Sequence, residues 1–381
     1  MKLTTQIFKG IVFLIISVLL LIGCSGDKVR LTGTITAQYD SLRVSNTILN
    51  RYYNYNIYEF RSDSIVLFAY NYITHSIDRF NLSSVQELPS IKLSHEGPQA
   101  IGDVKALAVT DVIIAVRNSL GISILYHNNS DVTTIPYRME IMDLNFLNKK
   151  YQFNKAFSFN LYGALGLSSD GEQVVMPAYS LKYLFGQSKE KYDQSHAIGL
   201  LDLQNGGIKI ILPEYPKYFT EDNYYGDLDD LQVLFVNKEI LYSYRCTPDF
   251  WKLNPITETT IKSGKLPKEL DRLPSPIDKY KSDDATYRLN YLANSPIYYE
   301  LKFDILDKKY YRTYKGATSS NNIYDYSNNF IMRFDQNLIY ESSWALNKMI
   351  IPDVFPTSVG IYALCRSQNE DYLKFVLIHT N

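Results

Sequence analysis

A cluster of carboxylates interleaved with tyrosines is the stretch of this sequence best suited to chemistry. Residues 221–230 contain five acids, which are Glu221, Asp222, Asp227, Asp229 and Asp230. The same stretch contains Tyr224, Tyr225 and Gly226. Oxygen-rich loops bind calcium, and a pair of carboxylates such as Asp227 and Asp229 can cleave a glycosidic bond. Because the spacing lacks the alternating acids and central glycine of an EF-hand, the sequence favours a solvated acidic loop over calcium binding and over catalysis.

Aromatic residues in the same region suit recognition. They fall in two neighbouring segments and comprise Tyr183, Phe185, Tyr192, Tyr215, Tyr218, Phe219, Tyr224 and Tyr225. A tyrosine ring supplies flat contact area at little cost in rotamer entropy, which suits sugar rings and peptide surfaces alike. These eight residues form the candidate binding face. The alternative is that the rings only pack the segments onto the scaffold.

Other catalytic and metal-binding motifs are absent from the sequence. There is no His-Glu-x-x-His, no Cys-x-x-Cys, no Gly-x-Ser-x-Gly and no glycine loop for phosphate. The histidines lie at least 20 residues apart, so a zinc site requires the fold to gather them: His75, His95, His127, His196 and His379. The sequence therefore predicts no catalytic residue, no metal and no cofactor. Ser168-Ser169-Asp170-Gly171 predicts a tight hairpin rather than a sialidase Asp-box.

The first 24 residues have the pattern of an export signal. Lys2 and Lys9 precede an apolar run from Ile11 to Ile22, which as a helix spans about 18 Å, short of a hydrocarbon core of about 30 Å. The run ends in Leu21-Ile22-Gly23-Cys24, which resembles a bacterial lipobox, where the cysteine is acylated before cleavage. The sequence predicts a membrane anchor at Cys24.

Three regions follow from this signal: a signal peptide at 1–23, a lipidated tether at 24–28 and one domain at 29–381. The expected location is the bacterial cell envelope, with the outer membrane favoured and the leaflet undetermined. Cys246 and Cys365 remain after cleavage. They either form a disulfide or lie buried as small apolar residues, and burial is favoured.

Composition sets the fold class. The 381 residues include 39 basic and 40 acidic side chains, for a net charge of -1, which disfavours nucleic acid as a partner. Thirty-three tyrosines and 18 phenylalanines favour half-buried β-strands. Short apolar runs between turn residues recur after position 30, and no stretch of about 15 residues keeps a helical period. The chain is predicted to be all-β.

An apolar strand that ends near Asn or Asp and precedes a turn occurs six times. The copies are Ile77–Asn81, Ile122–Tyr126, Ile198–Asp202, Phe250–Asn254, Tyr299–Asp304 and Leu373–Ile378. Six copies predict a six-bladed β-propeller of four-stranded antiparallel blades. Pairing of Val29–Ala37 with the last strand, Tyr372–Ile378, is expected to close the ring.

Strand reversal assigns the connections to two faces. Turns at the first-to-second and third-to-fourth positions share the short-turn face, and these are 110–111, 170–171, 205–207 and 237–238. The remaining connections share the long-loop face, and these include 138–156, 180–195, 213–230 and 264–294. Long loops on a rigid scaffold are the usual place for recognition.

Several short motifs add a family resemblance. Together with the lipobox and the abundant tyrosine, they are His95-Glu96-Gly97-Pro98, Tyr310-Tyr311-Arg312 and Asn369-Glu370-Asp371-Tyr372-Leu373-Lys374-Phe375. The chain resembles TolB-like six-bladed propeller lipoproteins of unknown function from Gram-negative gut bacteria. The resemblance implies the architecture and the location, and it carries over no catalytic residues.

Two functions from different classes follow. The favoured one is a lipid-anchored, non-enzymatic binding module for a protein, a peptide or a glycan, because no nucleophile or metal motif is present. The alternative is a glycan-cleaving enzyme that uses carboxylates such as Asp227 and Asp229 at the mouth of the central channel. A purely structural envelope scaffold is a third possibility.

Overall fold

The protein is seen in a computed structural model. It describes residues 36–43, 52–60, 64–97, 100–111, 113–118, 121–128, 131–135, 157–159, 165–168, 170–180, 196–219, 223–257, 259–263, 266–268, 270–278, 280–281, 284–319, 322, 325–365 and 372–379. Across these ranges, 25 β-strands form six antiparallel sheets.

Each sheet is one blade of a propeller. The first strand, β1 (Thr36–Arg43), belongs to the sixth blade. Blade 1 comprises β2 (Tyr52–Glu59), β3 (Ile65–Asn71), β4 (Ser76–Asn81) and β5 (Gln86–Lys92). Blade 2 comprises β6 (Val104–Val109), β7 (Ile113–Asn118), β8 (Gly121–Asn128) and β9 (Asp131–Ile135). Blade 3 comprises β10 (Phe157–Phe159), β11 (Gly166–Leu167), β12 (Gln173–Ser180), β13 (His196–Asp202) and β14 (Ile208–Ile211).

The second half of the chain builds the other three blades. Blade 4 comprises β15 (Leu231–Val236), β16 (Glu239–Tyr244), β17 (Phe250–Leu253) and β18 (Thr260–Ser263). Blade 5 comprises β19 (Ile297–Asp304), β20 (Lys309–Lys315), β21 (Asn329–Phe334) and β22 (Tyr340–Leu346). Blade 6 comprises β23 (Ile350–Thr357), β24 (Gly360–Cys365), β25 (Tyr372–His379) and β1. A 3-10 helix (Gly226–Asp229) and helix α1 (Ala285–Asn294) lie in long connections.

A separate apolar core fills each interface between neighbouring blades. Between blades 6 and 1, Phe355 and Phe375 pack with Leu67 and Phe80. The other interfaces among the described residues are built in the same way. Because blades 6 and 1 share one of these cores, the sheets stand in a ring, which confirms the predicted six-bladed propeller. The strands nearest the axis are β2, β6, β10 with β11, β15, β19 and β23.

The two ends of the described chain meet in blade 6. Strand β1 pairs antiparallel with β25, and Thr36 lies opposite His379. The described strand at this position, Thr36–Arg43, overlaps the predicted segment, Val29–Ala37, at Thr36 and Ala37, and the part of that segment before Thr36 lies outside the described residues.

The predicted repeat is the third strand of the blade in five of its six copies. The fifth copy, Tyr299–Asp304, is wrong because it lies in the first strand of blade 5. The third strand there is β21, which is followed by Asp335. Asp304 accepts a hydrogen bond from the backbone N–H of Leu306 at 2.9 Å, and Asp335 accepts one from Asn337 at 2.9 Å. Both turns lie on the same face and use the same side-chain chemistry, so the pattern does not distinguish them.

The Ser168–Gly171 hairpin forms as predicted, at the contact between blades 2 and 3. Ser168 donates from its hydroxyl to Asp170 and accepts from the backbone N–H of Gln173 at 2.9 Å. Gly171 has φ +72°, and a Cβ there would lie 2.8 Å from Cδ1 of Ile113. Glycine is therefore required by both the turn and the packing.

The assignment of connections to two faces also follows from the observed strand order. The turns after β6, β13 and β15 join first to second or third to fourth strands. The connections after β12, β14 and β18 join second to third strands or successive blades, and they leave the opposite face. Cys246 and Cys365 are buried thiols, so the expected burial is confirmed and the disulfide does not form.

Val85 has strained backbone at a turn of the short-turn face. Its φ is +53°, a region that disfavours β-branched residues. Asparagine tolerates this region, so Val85→Asn is expected to raise the free energy of unfolding by about 1 kcal/mol in urea titrations. Val359 is the matched control, because it is 47% exposed against 48% for Val85 and lacks a positive φ. An equal gain from Val359→Asn would show that side-chain polarity, rather than backbone strain, is responsible.

Candidate functional site

The connection between β14 and β15 carries most of the predicted site. Its described residues, 212–219 and 223–230, belong to the long-loop face and include the 3-10 helix, whose Leu228 is fully buried. Gly226 has φ +57° at the start of this helix. The backbone N–H of Ile277 donates to the carbonyl of Tyr224 at 2.7 Å, which ties this connection to the one after β18. The two loops therefore support each other.

Phe219 lies at the centre of an aromatic cluster on this face. Its ring centroid is 5.1 Å from Tyr244, 5.5 Å from Tyr225 and 5.6 Å from Tyr218. Tyr215 stacks on Tyr244 at 5.9 Å. These separations are typical of favourable edge-to-face and offset-stacked rings. The cluster fixes the loop on blades 3 and 4.

The predicted aromatic residues divide into three groups. Tyr183, Phe185 and Tyr192 lie outside the described residues. Phe219 and Tyr225 are buried, so in this conformation they support the loop and do not reach a ligand. Tyr215, Tyr218 and Tyr224 are half-buried. Among the described members of the candidate binding face, these three are the partly exposed ones.

Tyrosine hydroxyls also hold the backbone of the long loop. Tyr215 accepts from the backbone N–H of His196 at 3.0 Å and donates to its carbonyl at 3.3 Å. Tyr242 accepts from the N–H of Glu214 at 2.9 Å, and Tyr244 donates to the carbonyl of Glu214 at 3.3 Å. Irregular backbone needs such partners when it is buried. The abundant tyrosine therefore anchors loops as well as filling cores.

The predicted acids have different surroundings. Asp227 is exposed, whereas Asp229 is buried with its Oδ1 4.0 Å from Nε2 of His196. Glu221 and Asp222 lie outside the described residues. Within the part of the chain that the structure describes, no group of three or more His, Cys, Asp or Glu side chains is placed to hold a metal ion.

Asp230 forms an ion pair with Arg245, Oδ2 to Nη1 3.4 Å. Desolvation is the main cause that raises the pKa of Asp230 to about 6, with Asp229 and Asp227 adding to it and Arg245 opposing it. The backbone of Arg245 is fixed on both sides, since its N–H donates to Asp230 at 3.2 Å and its carbonyl accepts from Tyr298 at 2.9 Å. The guanidinium lies 6.0 Å from the ring centroid of Tyr299.

A second ionic group lies next to the axis of the ring. On β19, Nζ of Lys302 is 3.1 Å from Glu300, and it is 3.5 Å from Asp353 on β23. Burial raises the pKa of Asp353, and Lys302 opposes this shift. Sequence reasoning missed this group. The available signal was a run of charged residues at every second position of this strand, Glu300, Lys302 and Asp304.

Arg312 lies fully buried between blades 4 and 5. Its Nε donates to the carbonyl of Tyr299 at 2.8 Å, and Nη1 donates to the carbonyl of Thr247 at 3.1 Å. Nη2 donates to Oγ of Ser243 at 2.9 Å. The guanidinium lies 5.0 Å from the ring centroid of Tyr298. Desolvation lowers the pKa of Arg312 to about 10. This side chain supports the strand ends that carry Arg245 and Tyr299.

The fold gathers two of the predicted histidines on the long-loop face of blades 1 and 2. The rings of His75 and His95 stack with centroids 3.8 Å apart. Nε2 of His75 donates to the carbonyl of Ile101 at 2.8 Å, and Nδ1 lies 2.9 Å from the hydroxyl of Tyr70. Both ring nitrogens of His75 are therefore engaged by the protein. Burial lowers the pKa of His75, and the charge of His95 adds to this shift.

Known structures share this architecture. A member of the DUF4221 family from Bacteroides vulgatus aligns with a TM-score of 0.66 and 13% identity, over 91% of this chain and 98% of that one. A "Putative exported protein" from Bacteroides fragilis aligns with a TM-score of 0.51 and 12% identity, over 92% of this chain and 98% of that one. At such identities the likeness concerns the fold alone.

No curated protein matches the sequence. Within the residues that the structure describes, no helix has both the length and the hydrophobicity needed to cross a bilayer. The family model described as "Domain of unknown function (DUF4221)" matches residues 29–340, which is most of the chain. The protein therefore belongs to the DUF4221 family.

Proposed function

We propose that the protein is a lipid-anchored, non-enzymatic binding module of the bacterial cell envelope. Its anchor is the acylated Cys24, and its ligand is a peptide, a protein segment or a glycan held on the long-loop face. The lipobox and the structural likeness to the "Putative exported protein" of Bacteroides fragilis support the location. The TolB-like character of the propeller belongs to the same proposal and rests on the sequence motifs.

One observation carries the binding proposal: a partly exposed ion pair stands beside the ring of Tyr299. Asp230 and Arg245 are 39% and 28% exposed, and Tyr299 lies under the guanidinium. Arg245 follows the second strand of blade 4 directly, and Asp230 precedes the first. Strand ends position such groups more firmly than loops do.

The chemistry of this surface fits a ligand with hydrogen-bonding groups and flat apolar faces. A guanidinium and a carboxylate supply several donors and acceptors. Tyr215, Tyr218 and Tyr224 supply contact area that needs little ordering, because the aromatic cluster already holds their segment. Sugars and peptides both combine these two features.

Arg245→Ala tests the proposal. Loss of one charged hydrogen bond is expected to weaken binding about 10- to 100-fold. The lipidated full-length protein is screened against immobilised glycans and a random peptide library, and affinities are then measured by surface plasmon resonance. Lys281→Ala is the matched control, because Lys281 is an exposed cation of a long connection on the same face. Equal binding by the Arg245→Ala protein and the wild type would contradict the proposal.

The alternative, a glycan-cleaving enzyme, is favoured by the pKa of Asp230. A pKa raised to about 6 lets a larger fraction of Asp230 keep its proton in mildly acidic solution than an ordinary aspartic acid does, which is the direction a general acid needs. Its partner in this alternative is a second carboxylate such as Asp227. Release of reducing sugar from a polysaccharide panel, abolished in Asp230→Asn and retained in Lys281→Ala, would favour the enzyme over the binding module.

A further inference from the structure

The short-turn face carries exposed aliphatic side chains at the tips of its turns. Ile256 is 84% exposed. Ile305 and Leu306, in the turn between β19 and β20, are 61% and 60% exposed, and Ile339 is 61% exposed. On the short-turn face, the exposed aliphatic residues of the described turns are Val85, Ile256, Ile305, Leu306, Ile339 and Val359. Short turns ordinarily carry polar residues at such tips, since nothing covers them.

These six side chains, called here the aliphatic arc, occupy turns of neighbouring blades. They belong to turns of blades 4, 5, 6 and 1, which follow one another around the ring. The described turn tips of blades 2 and 3 on the same face are polar, and they include Asp111, Asp170, Gln204 and Asn205. Among the described turns of this face, exposed aliphatic tips are therefore confined to blades 4, 5, 6 and 1, where they stand beside polar residues such as Asp307, Lys308 and Gln336. Clustered exposed apolar residues mark an interaction surface.

The N-terminal end of the described chain emerges on the same face. Thr36 begins β1 opposite His379, the last residue of β25. Because β25 is the third strand of blade 6, its end lies on the short-turn face, and so does the start of β1. Blade 6 lies within the aliphatic arc. Eleven residues separate Cys24 from Thr36, a span of about 40 Å at full extension.

We propose that the aliphatic arc docks on the lipid bilayer and inserts its six side chains into the interfacial region. The inference rests on the acylation of Cys24 in the proposed function. A short tether that leaves the arc holds this face within reach of the membrane. A protein partner on the arc would have to fit between the domain and the bilayer.

The docked arc completes a two-part anchor. One acyl-bearing residue gives one membrane contact, and a second apolar contact makes attachment firmer and fixes the orientation. The long-loop face, with Arg245 and Tyr299, then points away from the membrane. The geometry thus assigns one face to the bilayer and the opposite face to the ligand.

A pair of cysteine probes tests the docking. Gln336 and Ser327 are both exposed, and they stand at opposite ends of β21, on the short-turn and long-loop faces respectively. Cys246 and Cys365 are buried, which leaves an introduced thiol as the accessible one among the described residues. Gln336→Cys and Ser327→Cys are labelled with the fluorophore NBD in the full-length lipidated protein. Both are then placed in phosphatidylcholine vesicles that contain nitroxide-labelled lipid.

The expected result is a blue shift and at least a fivefold stronger lipid quenching at position 336 than at position 327. Changing Ile256, Ile305, Leu306 and Ile339 together to serine should remove this difference, while the protein still floats with the vesicles. Equal quenching at the two positions overturns the proposal. A blue shift at position 336 in the absence of vesicles also overturns it, because it indicates association between copies of the protein.

Mass spectrometry of Cys24 separates this proposal from the proposed function. A protein without acyl chains that does not float with vesicles refutes the anchor itself. An acylated protein that floats, with the probe at position 336 still in water, refutes the docking alone. The serine substitutions are at exposed positions, so urea titration should show nearly unchanged stability.

Discussion

Replacing Arg312 with methionine is expected to lower the free energy of unfolding by about 3 to 5 kcal/mol. The guanidinium is fully buried, and its hydrogen bonds reach the backbone carbonyls of Thr247, Pro248 and Tyr299. Methionine fills most of the space and leaves these acceptors without that donor. Urea denaturation followed by tyrosine and tryptophan fluorescence measures the change.

Arg333→Met is the matched control on the next strand. Arg333 is 27% exposed, with Nε 3.0 Å from Glu341 and its guanidinium 5.1 Å from the ring centroid of Trp344. Because a surface pair contributes little, this change should cost about 1 kcal/mol or less. Arg312→Lys retains the charge but loses the planar guanidinium and several of its donors. Its cost in stability should therefore fall between those of Arg312→Met and Arg333→Met. A stability of Arg312→Met within about 1 kcal/mol of wild type would show that the buried guanidinium does not hold blades 4 and 5 together.

Lys315→Met is expected to remove a pH-dependent penalty on folding. The ammonium of Lys315 is buried against the end of α1, where Nζ donates to the carbonyl of Ala293 at 2.5 Å. Desolvation lowers the pKa of Lys315 to about 8 from its ordinary 10.5. Between these values the unfolded chain binds more protons than the folded protein, so this group makes stability rise with pH. Its penalty is fully present below pH 8 and amounts to about 3 kcal/mol.

The difference in the free energy of unfolding between Lys315→Met and wild type isolates the contribution of the Lys315 ammonium. Buried Cys246 and Cys365 have raised pKa values, which makes stability fall with pH over the same window, but both proteins contain them. Between pH 7.5 and 9.5 the advantage of Lys315→Met over wild type should therefore shrink by about 2 kcal/mol. Ala293 keeps a donor in the variant, since Oγ1 of Thr318 lies 3.0 Å from its carbonyl. If the free energies of unfolding of the two proteins change in parallel with pH across this window, the buried Lys315 ammonium is not the source of the pH-dependent penalty.

The blades could be predicted from local signals. The turn at Ser168–Gly171 depends on residues that are neighbours in sequence, and the structure has this turn as expected. The error at Tyr299–Asp304 has a local cause as well, because Asp304 and Asp335 close similar turns on the same face. Patterns that act over a few residues identify a strand and its turn, but they do not count its position within a blade.

The ionic groups of the site could not be predicted in this way. Lys302 meets Asp353 because β19 and β23 are the inner strands of adjoining blades. Arg245 meets Asp230 because the second strand of blade 4 ends beside the start of the first. Both pairings depend on which strands adjoin and on which side of a strand each residue faces. The aromatic stretch was visible in the sequence, whereas the burial of Phe219 and Tyr225 was not.

The hydroxyl contacts of the tyrosines suggest a use for this scaffold in protein engineering. Tyr242 and Tyr244 hold Glu214 through its main-chain N–H and carbonyl, and Tyr298 holds Arg272 and Leu270 in the same manner. Every amino acid other than proline offers both of these groups. Exposed positions near such fixing points can therefore be varied without loss of these main-chain contacts, provided that the buried Phe219, Tyr225 and Leu228 are kept, which suits the domain to the display of artificial binding libraries.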